Sequence, residues 1–143
     1  MTPGVHRHEH LVVEAEIDAL GHASNVVYVR WMIDAATAHS AAVGWDFEAY
    51  AKAGGMWVVR RHEIEYLLPA RAGDRVAVLT WVVGFQGVQS RRRYEMRLPD
   101  GRVCARGATT WVFVEWPSGR PRRIPPEVRD AFPAVGEEPF LGS

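Results

Sequence analysis

Only one cysteine, Cys104, and one lysine, Lys52, occur in the 143 residues, and 17 basic and 17 acidic side chains cancel to a formal net charge of zero. Each scarcity excludes something. A lone cysteine has no internal disulfide partner, so the chain is expected in a reducing compartment, the cytoplasm. Zero net charge argues against nucleic-acid binding, where affinity comes mostly from basic charge displacing counterions. No apolar run approaches the roughly 18 residues of a membrane span, and Met1-Thr2-Pro3-Gly4-Val5-His6 lacks the apolar core of a secretion signal. There is no Gly-x-Ser-x-Gly and no phosphate loop, so a serine hydrolase is disfavoured, and the chain shows no repeat and no linker. The six histidines are scattered, with His6, His8 and His10 alternating as on a strand edge or tail, so no metal site is expected. The length suits a single domain, 1–143, with 1–7 and 134–143 expected to be flexible.

What is present is strongly patterned. Residues 8–16 place Leu11, Val13 and Ala15 at alternate positions, which predicts a half-buried strand with those three inward. From Asn25 to about Val43 the chain is apolar nearly all round, broken only by residues such as Arg30, Asp34 and His39, and too long for a strand. That predicts a helix enclosed by other structure, started by Ser24 or Asn25 and ended by Gly44. Arg30 and Asp34 have the spacing of a structural ion pair. A shorter helix over 45–53 stops at Gly54-Gly55. Four strands follow, over 56–68, 74–83, 88–98 and 102–116, with Pro99-Asp100-Gly101 as a hairpin turn, and a short helix over 124–132. The expected fold is α+β, a curved antiparallel sheet of about five strands wrapped around one long central helix. One helix covers such a sheet incompletely, so a homodimer, or a homotetramer, joined through a sheet edge is expected.

The chemistry concentrates in Glu16-Ile17-Asp18-Ala19-Leu20-Gly21-His22-Ala23-Ser24-Asn25-Val26-Val27-Tyr28, between the first strand and the start of the buried helix. A carboxylate, a glycine, a histidine and an asparagine at a helix N-terminus can supply both a reacting acid and an oxyanion site. The same residues also suit a plain turn with a helix cap.

The run from Asp18 to Tyr28 resembles the Asp-x-x-Gly-His-Val-Asn-Asn-x-x-Tyr signature of the hotdog-fold acyl-CoA thioesterases of the 4-hydroxybenzoyl-CoA thioesterase type. The resemblance continues in order through Val58-Val59-Arg60, Glu65-Tyr66, Pro69-Ala70, Gly119-Arg120-Pro121 and Ile124-Pro125. It implies a thioester hydrolase with Asp18 as nucleophile or general base and the Asn25 N–H polarising the carbonyl, His22 as a polar contact and Gly21 letting backbone approach the substrate. Ser24, Tyr28, Arg60, Gln89, Ser90 and Arg91 complete the substrate-binding set that it implies, with Tyr28 packing the helix. Ala23-Ser24 departs from the family's Val-Asn. Gly84-Phe85-Gln86-Gly87-Val88-Gln89-Ser90 stands where relatives place basic and hydroxyl residues beside coenzyme A phosphates, with Arg91, Arg92 and Arg93 just after. The implied substrate is an acyl group on coenzyme A or on an acyl carrier protein, with no cofactor beyond the substrate's own. Two other readings remain open: an enoyl-thioester hydratase or dehydratase, and a non-catalytic acyl-thioester-binding module.

Overall fold

The structure is a computed structural model and describes residues 2–142. Five strands, β1 (His6–Leu11), β2 (Gly55–Tyr66), β3 (Arg75–Gln86), β4 (Gln89–Arg97) and β5 (Val103–Glu115), form one antiparallel sheet in the order β1-β3-β4-β5-β2. Three helices accompany it: α1 (Asn25–Ala42), α2 (Phe47–Ala53) and α3 (Pro126–Ala131). Only β3, β4 and β5 form a meander. β2 crosses over to pair with β5, which leaves β1 and β2 as the edges.

The sheet curls around α1. The helix buries Val27, Tyr28, Trp31, Met32, Ala35, Ala36 and His39, a stripe recurring at three- and four-residue steps, against Val76, Val78, Tyr94, Met96, Cys104 and Ala105 of the sheet. Close approach is possible because β5 carries Gly107 opposite the helix. A β-carbon there would lie 2.8 Å from Met32 Sδ. Gly44, at φ +93°, follows the helix where a left-handed residue ends it, and Asp46 starts α2 by accepting a hydrogen bond from Ala49 N at 2.9 Å.

The first strand corrects the sequence reading. It ends at Leu11 and gives way to a short 3-10 turn, Glu14–Glu16, so 12–16 are not strand. Its inward face is also the opposite one. Leu11 and Val13 are exposed, whereas His6 stacks on His39 with ring centroids 5.1 Å apart and His10 packs against Trp31 at the same separation. Histidine is tolerated inward because each ring meets an aromatic face, and His10 also meets a carboxylate. The expected Arg30–Asp34 ion pair is absent among the described residues; both side chains are exposed. Near the ends, Thr2 Oγ1 donates to Phe140 O at 2.6 Å and Trp81 Nε1 to Gly136 O at 2.9 Å.

Candidate active site

Residues 17–23 form a tight loop whose arms meet as an antiparallel bridge between Ile17 and Ala23. Asp18 N donates to His22 O at 2.9 Å, and Gly21 N to Asp18 O at 3.1 Å. Gly21 has φ +81°, a conformation that a side chain resists, so glycine is needed for the loop to close. Asp18 Oδ1 accepts from Leu20 N at 2.9 Å and from His22 N at 3.5 Å. These bonds fix the carboxylate while its Oδ2 accepts nothing from the described residues. The side chain stands at the surface.

Glu16, two residues earlier, has the contrary environment. It is buried, and Trp31 Nε1 donates to its Oε2 at 2.9 Å while Val13 N reaches Oε1 at 3.0 Å and His10 Nε2 lies 2.8 Å from the same oxygen. Burial opposes its ionisation, but the bonds from His10, Trp31 and Val13 outweigh burial and hold the carboxyl below its ordinary range. Glu16 ties the loop to the underside of α1. Asp18 is the carboxylate left available for chemistry.

Behind Asp18 the chain turns into α1. Ser24 N donates to Glu16 O and Val27 N to Ser24 O, but the Ser24 side chain does not cap the helix. The N–H groups of Asn25 and Val26 meet no acceptor among the described residues. Two free donors at the positive end of an 18-residue helix form a ready site for developing negative charge. Tyr66 Oη donates to Asn25 O at 2.8 Å, which steadies that turn. Tyr28 is buried, its hydroxyl accepting from Ala70 N at 3.2 Å and its ring 4.5 Å from that of Trp31, so it holds the helix start in place.

The structure thus brings Asp18, Gly21, His22, Ser24, Asn25 and Tyr28 together. It does not bring the other four there within one chain. Gln89, Ser90 and Arg91 begin β4, whose Arg92 touches His39 near the far end of α1, about 16 Å along the helix from Tyr28. Arg91 Nε donates to Glu137 Oε1 at 2.6 Å, Ser90 is buried, and Arg60 is exposed at a bulge of edge strand β2. The sequence reading set Arg92 with Arg91 and Arg93 near the coenzyme A phosphates and missed its burial, which Arg91 and Arg93 share only in part. Strand parity could have found it, since Arg92 shares its face with Tyr94 and Met96.

Residues 12–132 match the family model of the thioesterase-like superfamily. The chain belongs to this family. It is 26% identical over 132 residues to a chloroplastic acyl-acyl carrier protein thioesterase of Arabidopsis thaliana, covering 90% of this chain and 69% of that protein. It is 27% identical over 125 residues to an L-carnitine dehydrogenase/betainyl-CoA thioesterase of Agrobacterium fabrum, covering 87% of this chain and 26% of that one. The crystal structure of a DHNA-CoA thioesterase from Staphylococcus aureus superposes with a TM-score of 0.79 at 22% identity, over 83% of this chain and 80% of that chain. The architecture is the hotdog fold of these thioesterases. Among the described residues, no helix is long and apolar enough to cross a membrane.

Proposed function

We propose that this thioesterase-family chain hydrolyses an acyl thioester of coenzyme A or acyl carrier protein to a free acid and a thiol, using Asp18 and the Asn25 N–H. The observation that carries this reading is the contrast at the start of α1. In one loop-to-helix segment Asp18 presents a held but unshielded carboxylate oxygen and the helix start presents two unpartnered N–H groups, while Glu16 is consumed by the fold. A thioester carbonyl seated on the Asn25 N–H is polarised as charge develops on its oxygen. Asp18 then either attacks the carbonyl carbon, expelling the thiolate and forming an anhydride that water opens, or takes a proton from a water that attacks in its place. Either route ends in acid and thiol and needs no metal or organic cofactor.

The carrier's contacts are assigned to a second copy of the chain. Gln89, Ser90, Arg91 and Arg60 lie away from Asp18 in the same chain, and the open edge of β2, with Val58 and Val59 exposed, offers the seam through which a dimer would form. Cys104 takes no part: burial pushes its thiol up to about 11, so it is not a nucleophile at neutral pH. An unreactive lone cysteine suits the cytoplasm.

The test is thiol release from a panel of acyl thioesters varying in acyl size, each offered on coenzyme A and on carrier protein. Release above the uncatalysed rate on at least one carrier supports the reading. Hydration of an enoyl thioester without thiol release would instead show a hydratase, and tight binding without turnover would show a binding module.

A further inference from the structure

Between the C-terminal half of α1, α2 and the inner face of β3, β4 and β5 is a cavity of about 180 Å³, walled by Trp45, Tyr50, Trp57, Trp111 and Phe132 and reached by Arg92. Arg92 is buried at 5% exposure. Its Nη1 donates to His39 Nδ1 at 2.9 Å and to Thr80 Oγ1 at 3.0 Å, and its guanidinium carbon lies 5.7 Å from the Phe132 ring centre. Neither acceptor carries charge. Burial, then the charge of Arg92, then His6 hold the His39 imidazole down at about 3, so it is neutral and accepts through Nδ1.

The other ionisable groups near the guanidinium are His6, held down by burial, His8 and the Arg92 charge, and Tyr50 and Tyr94, both pushed up by burial and hence neutral. Asp46 also borders the cavity, but its Oδ1 caps α2, and no carboxylate of the described residues forms an ion pair with Arg92. A buried cation without a counter-charge is unfavourable unless something supplies one. Two of the five guanidinium N–H groups are spent on His39 and Thr80. The Nε and Nη2 donors find no partner among the described residues, and together they form the fork that a carboxylate fits with two parallel bonds.

We propose that this cavity binds a small carboxylic acid with an aryl or short aliphatic body, its carboxylate on Arg92 and its body against the tryptophans. Size supports this class, because a cavity of about 150 Å³ with apolar walls takes up benzene. Within one chain the cavity stands apart from the Asp18 loop, since His39 lies fourteen residues, about 21 Å, along α1 from Asn25, while Ser90, placed above among the carrier contacts, borders it. The inference does not depend on the proposed hydrolysis. A free acid of this kind is, however, the class of molecule that thioester hydrolysis produces, so occupancy would let product be sensed.

The experiment is a titration of ¹⁵N-labelled protein at neutral pH with benzoate and with benzamide, and with cyclohexanecarboxylate and its amide, following the indole N–H signals of Trp45, Trp57 and Trp111. The acids are expected to shift these signals saturably and to bind at least about tenfold more tightly than the amides. Arg92→Met is expected to erase that preference, and Arg92→Lys to retain part of it. Asp18→Asn, which removes the proposed hydrolytic group, is expected to leave the shifts unchanged. Should Arg92→Met fail to fold, the acid and amide comparison on the unaltered protein still decides. Equal affinity for acid and amide, no saturable indole shift, or an acid preference that survives in folded Arg92→Met would overturn the proposal.

Discussion

Asp18 and Glu16 are two residues apart in one loop, and their surroundings assign them different work. Glu16 is enclosed by donors from the strand, the turn and the helix; Asp18 is held by the backbone of its own loop and faces solvent. A comparable division exists between the histidines. His22 stands by the Asp18 loop, whereas His39 is buried as a neutral acceptor for Arg92. That role has a pH signature. The folded His39 titrates at about 3 against 6.5 ordinarily, so below pH 6.5 the unfolded chain takes up a proton that the folded chain refuses. Its contribution to stability is therefore complete above 6.5 and is lost as pH falls toward 3. Urea midpoints measured at about pH 7 and about pH 4.5 are expected to drop on acidification, and to drop less in His39→Gln, which keeps an acceptor but does not titrate. An equal drop in both proteins would remove His39 from the explanation.

Among the elements, the contact between α1 and β5 sets how tightly the sheet can curl. Gly107→Ala would push a methyl to 2.8 Å from Met32 Sδ and 3.2 Å from the Glu63 carbonyl oxygen. Met32 can yield but the β2 backbone cannot, so a loss of roughly 1–3 kcal/mol is expected from urea denaturation, with no change in the family of strands formed. The enclosed helix and the β3–β4–β5 meander were readable in the sequence because their signals are local: a long apolar run, alternation, and Pro99-Asp100-Gly101. β1 was misread because Leu11, Val13 and Ala15 alternate correctly for a strand, while what decides its facing is remote. His10 finds Glu16 and Trp31, and His6 finds His39, partners that appear only after folding. The pairing of β2 with β5 had no local signal either. At the site, the Asp18 loop was legible from one continuous motif, whereas Arg92 became visible as a cavity wall only once His39, Thr80 and Phe132 had converged on it.

For the whole molecule, the proposed function sets the Asp18 loop of one chain against Gln89, Ser90 and Arg91 of another, so the proposed working unit is larger than one chain. Light scattering is expected to give twice the 16.0 kDa chain mass or a higher even multiple. Val58→Asp, on the exposed edge strand, is expected to lower both the mass and the thiol-release rate; a fully active monomer would contradict the assignment of carrier contacts to a second copy. Neutral net charge fits this picture, since phosphates would be met by a few placed arginines rather than by the field of the protein. The most direct measurement of the central claim is the thiol-release rate of Asp18→Asn on the best thioester found, with melting temperature and oligomeric mass matched to the unaltered protein. The account predicts a fall in kcat of about 10²–10⁴-fold with KM little changed. A kcat equal to that of the unaltered protein would contradict it.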